Sequence, residues 1–147
     1  MGKFPIPSRK FGLIPATITP MDGAYDVDYG QLEKYIDWIS KFDLGGVAVN
    51  VDTSEGPHLH AEERAAVIKT YARKVGGKFP IVAGLHARST GEAVKLGKEA
   101  KEAGADGLLV FPHPAFMGEQ AGGVVYAYHE EVAEKVGLPI ILFQLQP

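Results

Sequence analysis

Short apolar, β-branched segments recur along this chain roughly 30 residues apart, and each is followed by a stretch with helical periodicity. That alternation constrains the fold more than any other feature. Residues 11–19, 47–51, 79–85, 108–111 and 138–143 read as five strands, and helices are predicted over about 26–42, 61–75, 89–103 and 124–136. Val47 to Val51 lacks polar alternation, as a strand covered on both faces does. Pro15 weakens the first strand, because proline removes a ladder donor. Asp26 or Asp28 can cap the first helix, with Leu32, Tyr35, Ile36 and Ile39 on one face. Ala65, Ile68, Ala72 and Val75 form the buried stripe of the second, and Ser89 with Glu92 fits a capping box before the third. Repeated βα units give an open doubly wound sheet or a closed barrel. Five strands suffice for a complete small flavodoxin-like domain but do not close an eight-stranded barrel.

With 147 residues, 46% of them hydrophobic and 22% charged, the chain can bury one core. A net charge of −3 with scattered Lys and Arg offers no footprint for nucleic acid. No apolar run approaches the roughly 18–20 residues that span a bilayer, and the first residues lack a signal-peptide core. The absence of cysteine excludes disulfides, thiolate nucleophiles and Cys-ligated metals. The expectation is a cytoplasmic protein without membrane or nucleic-acid partners.

In parallel α/β sheets ligands bind just past the carboxyl ends of the strands. Asp52, Thr53, Ser54 and Glu55 follow the second strand there and are the first candidates. Thr17 ends the first strand, His86 and Arg88 follow the third, His113 follows the fourth and Phe143 ends the fifth. Arg88 offers a planar fork for a carboxylate or phosphate, and Glu55 is a candidate general base. Thr19 lies beside Thr17 but precedes a proline and can simply shape the turn. His58, His60, His86 and His113 could join Asp52 and Glu55 in a metal site, although His58 and His60 lie beyond the turn and the plainer reading is of loop and capping residues. Phe116, Met117, Tyr126 and Tyr128 make the fourth loop and helix apolar enough for a subunit contact.

Five motifs occur in order: Gly12 to Pro20, the turn 52–55 ahead of Leu59 and Glu63-Arg64, Ala83-Gly84 with Ser89 to Ala93, Gly104 to Gly107, and Leu138 to Ile141. Together they resemble the dihydrodipicolinate synthase / N-acetylneuraminate lyase family, class I aldolase-type (β/α)8 TIM barrels acting on pyruvate and related 2-oxo acids. The resemblance runs from about Gly12 to Pro147 and implies that residues 1–147 are the amino-terminal part of one barrel domain, its first five βα units. It also implies a lyase that works through a Schiff base with no cofactor, on a 2-oxo acid, as a homo-oligomer. The family's carboxylate-binding turn falls on Val51 to Glu55, with Asp52 in place of a threonine. The family's proton-relaying tyrosine falls on Phe143, which has no hydroxyl, and the aromatic pair after the fourth strand falls on His113 and Pro114. Every lysine lies in the lead-in, on a helix or at the amino end of a strand, so the Schiff-base lysine is expected beyond this chain. Two alternatives stand beside this: a metal-assisted hydrolase or aldolase, and an inactive half-barrel that self-associates through unpaired edge strands.

Overall fold

The computed structural model describes residues 12–113, 116 and 122–144. Met117, Pro114, Lys3 and Lys10 lie outside the described residues. Four parallel strands, β1 (Val47–Val49), β2 (Ile81–Leu85), β3 (Gly107–Val110) and β4 (Ile140–Leu142), pair in the order in which they occur. The helices α1 (Tyr29–Ile39), α2 (Ala61–Val75), α3 (Thr90–Ala103) and α4 (Gly122–Val136) alternate with them and pack in series, each on the next. A doubly wound sheet reverses its strand order at a switch point. Here there is none, and the segment before α1 lies on the far side of β1, so the winding is that of a barrel wall.

The expected first strand is reduced to one parallel bridge, Ala16 to Ala48. Ala48 N–H donates to Pro15 O and Thr17 N–H donates to Ala48 O, both at 2.9 Å. The next rung in this register would need an N–H from residue 15, and proline has none. β1, β2 and β4 form where predicted but are one or two residues shorter at their ends, and β3 keeps its length but begins and ends one residue earlier than expected.

Helix boundaries follow local chemistry. Asp28 caps α1 by accepting from Gln31 N–H, and α1 stops at Ile39, short of Phe42. Gly76 and Gly104 end α2 and α3 in the left-handed conformation that glycine adopts most readily. Ser89 caps α3 by accepting from Glu92 N–H, but the Glu92 carboxylate accepts from Arg88 N–H at 2.6 Å, one residue earlier than a capping box places it. Helix α2 buries more than the expected stripe: Ile68 and Val75 are inside with Val67, Thr70 and Tyr71, while Ala65 and Ala72 are half-buried. It lies between α1 and α3 and packs against both.

Side chains alternate across the sheet. Val47, Val49, Ile81, Ala83, Leu85, Leu108 and Val110 face the helices and join the main core with Leu32, Ile36 and Tyr71. Ala48, Val51 and Phe111, with half-buried Leu109 and Phe143, form a second, smaller cluster on the opposite face. Among the described residues no helix is long and apolar enough to cross a membrane.

Candidate active site

The turn after β1 is one turn of 3-10 helix, Asp52–Ser54, closed by Glu55 at φ 60°. Ser54 is fully buried; its hydroxyl accepts from Val51 N–H, and its carbonyl accepts from the Thr19 hydroxyl at 2.8 Å. Just before the turn, Asn50 also takes a positive φ of 54° and donates from Nδ2 to Arg64 O. Two glycines make this bend possible. A Cβ on Gly56 would come within 1.9 Å of Asn50 O, and one on Gly84 within 2.3 Å of the same oxygen. The loop backbone therefore closes directly onto the end of β1.

Sheet register decides what meets beyond the strand ends. Extending Val49 with Ala83, Leu85 with Val110 and Val110 with Leu142 brings Asp52, His86, Phe111 and Phe143 into one row. Backbone bonds continue the ladder, with Phe111 N–H donating to Leu85 O and Phe143 N–H to Val110 O, both 3.1 Å. The side chains touch accordingly. The His86 ring stacks on Phe111 at 3.7 Å, and Phe111 lies 4.5 Å from Phe143. His86 Nε2 is buried and sits 3.0 Å from Asp52 Oδ1, at ion-pair distance but off the line of a well-directed hydrogen bond. Burial pulls the His86 pKa below that of ordinary imidazole, Asp52 opposes this, and Arg64 adds to the lowering. Neutral imidazole is thus the favoured form near neutral pH.

The remaining sequence candidates fall around this row with different exposures. Thr17 is buried and its hydroxyl donates to Ala48 O at 3.0 Å, so it ties the lead-in to β1. Thr53 and Glu55 are exposed, as is Asp52. Arg88 holds its guanidinium in solvent, 3.5 Å from Glu92, whose carboxyl is lowered chiefly by Arg88 N–H. His113 Nε2 approaches Arg88 O at 2.6 Å, joining the loops after β2 and β3. His58 and His60 are exposed, and among the described residues no three His, Asp or Glu side chains converge as metal ligands would. The metal-centre alternative therefore finds no ligand set. Tyr128 is buried against Phe116, so it belongs to the interior of the fourth unit and not to an outer face; Tyr126 is exposed.

Asn50 and Phe111 escaped the sequence reading. His86, Phe111 and Phe143 each stand one residue past their observed strand ends, an offset that the expected bounds 108–111 and 138–143 hid.

Beside the row, a cleft of about 570 Å3 opens between α2 and α3, lined by Arg64, Ile68, His86, Arg88, Glu92 and Phe111 among others. The family model for the dihydrodipicolinate synthetase family matches residues 9–147. The chain belongs to that family. A 4-hydroxy-tetrahydrodipicolinate synthase of Pseudomonas putida (strain W619) is 35% identical over 135 residues, 91% of this chain and 45% of the relative. A dihydrodipicolinate synthase from Acinetobacter baumannii, solved in complex with pyruvate, superposes with a TM-score of 0.83 at 35% identity, covering 91% of this chain and 45% of that one. The Aquifex aeolicus dihydrodipicolinate synthase gives 0.82 at 33% identity with the same coverage. The chain thus spans under half the length of the family relatives it matches. Its four parallel strands and alternating helices form part of the dihydrodipicolinate synthetase family's TIM barrel.

Proposed function

We propose that this chain supplies the amino-terminal part of a lyase barrel that makes or breaks a carbon–carbon bond, or dehydrates, a 2-oxo acid through a Schiff base, without a cofactor. The observation that carries the reading is the family match across residues 9–147, the same span whose loop ends gather His86, Asp52, Phe111 and Phe143 on one rim. The A. baumannii relative's complex with pyruvate supports a small 2-oxo acid as ligand. The amine would come from a lysine beyond residues 1–147. Among the described residues every lysine lies on a helix or in a loop away from that rim, as Lys69 and Lys74 on α2, Lys101 on α3 and Lys78 ahead of β2 do. Asp52 in the carboxylate-binding turn, next to Thr53 and Ser54, argues for a substrate diverged from that of the synthases, because an ionised carboxyl repels a substrate carboxylate unless a cation offsets it. Borohydride reduction of the full-length gene product with pyruvate, followed by peptide mapping, tests the reading. The expected result is one N6-(1-carboxyethyl)lysine, the reduced imine, outside residues 1–147; pyruvate binding with no trapped adduct would sink it.

A second reading, self-association, is favoured by the exposed edge. Leu142 is 65% exposed and Ile141 36% on β4, and Leu13 and Ile18 are exposed at the opposite edge. Light scattering on the purified chain should then show a species larger than the monomer, and a clean monomer would count against it.

A further inference from the structure

Carbon–carbon bond chemistry next to a carbonyl requires a group that moves a proton on and off carbon, and that group must titrate near the working pH. On the rim of this sheet the position that ends β4 is Phe143, which has no proton to give. Phe111 beside it has none either. His113 Nε2 is engaged by Arg88 O at 2.6 Å, and Glu55 is solvent-exposed where it closes the turn. His86 remains. Its ring plane is set by Phe111, which stacks on it at 3.7 Å, and one edge is set by Asp52, 3.0 Å from Nε2.

We propose that His86 is the general base and acid of this site, with Asp52 as its positioning residue, in place of a hydroxyl at residue 143. The inference rests on the 2-oxo acid reading above. The negative charge of Asp52, 3.0 Å from Nε2, favours the tautomer that carries its proton on that nitrogen and leaves the Nδ1 lone pair to act. In the step assigned to it, Nδ1 takes a proton from the carbon next to the imine carbon. The C–H electron pair becomes the new C=C bond, and the π pair of the protonated imine (iminium) moves onto nitrogen, giving a neutral enamine. The imidazole becomes imidazolium, which Asp52 stabilises, and the same proton returns to carbon in the reverse step. Asp52 thereby has a role in a turn where an acid would otherwise only repel the substrate carboxylate. The charged groups around the ring are Asp52 from the turn and Arg64 from α2, with Glu92 and Glu99 on the α3 side of the cleft that His86 lines; Phe111 and Phe143 bring no charge.

The test separates this inference from the reading under it. The full-length gene product is incubated with pyruvate in D2O, methyl-proton exchange is followed by NMR, and borohydride trapping is run in parallel. His86→Gln should lower exchange at least about 100-fold, in the range a general base contributes, while trapping persists. Asp52→Asn should retain exchange but move its acid limb to lower pH, because the carboxylate favours protonated imidazole. If His86→Gln traps pyruvate and still exchanges at the unmodified rate, His86 is not the base and the Schiff-base reading stands. If the unmodified protein binds pyruvate but traps none, the reading fails and this assignment falls with it. An Asp52→Asn pH profile identical to that of the unmodified protein overturns the pairing.

Discussion

The two faces of one sheet are built differently. Toward the helices, Val47, Val49, Leu108 and Val110 have no exposed surface and join a continuous core with Leu32, Ile36 and Tyr71. One residue along each strand, the other face carries the buried Val82 and a small cluster of Ala48, Val51 and Phe111 with the half-buried Leu109 and Phe143. The helix-facing core is completed by segments adjacent in sequence, because each helix returns over the strand it follows. The inner face has no helix of its own and must be filled by strands facing one another across a barrel. Stability and chemistry are therefore divided: the outer face holds the fold, and the inner rim presents groups that touch only through sheet register.

Paired truncations would break this comparison if it is wrong. Leu108→Ala, on the helix side, should cost about 2–5 kcal/mol in denaturant unfolding. Leu109→Ala, its neighbour on the other face, should cost less than about 1.5 kcal/mol because part of its side chain already meets solvent. Equal losses would mean that the inner face is packed as fully as the outer. Thr19→Val should cost about 1–2 kcal/mol, since the buried Ser54 carbonyl loses its donor; thermal melts of the variant beside Thr53→Val, which is exposed, give the contrast.

Acid sensitivity sharpens the comparison at the rim. The folded state lowers the His86 pKa, so the unfolded chain binds that proton more readily. Stability should rise as pH increases from below the folded pKa to about 6.5, the ordinary imidazole value, and be flat with respect to this group above it. His86→Gln should remove that slope, and a Tm series that keeps it would place the titration elsewhere. Smallest of all, Leu142→Lys should change stability by no more than about 0.5 kcal/mol while reducing any association through the β4 edge, as charge on an edge strand does.

Much of the winding was legible because its determinants are local. The spacing of apolar segments, Asp28 and Ser89 as caps, and glycines past α2 and α3 act within a few residues of where they stand. The weakness of the first strand was legible in Pro15, whose missing N–H leaves a single bridge; only the extent of the loss was not. In the candidate site, Asp52 and His86 were readable as residues past strand ends, yet their pairing was not. It depends on the register between β1 and β2 and on Gly56 and Gly84 closing against the carbonyl of Asn50, itself at a positive φ.

The sequence alone determined the order of units, the ends of the helices and the residues that stand beyond each strand, because these follow from periodicity and from hydrogen bonds between near neighbours. Only the tertiary structure decided that Asp52, His86, Phe111 and Phe143 share one row, and that Arg88 and Thr17 do not join it. Register between strands some 30 residues apart is set by packing of the whole sheet against its helices, and no local pattern encodes it.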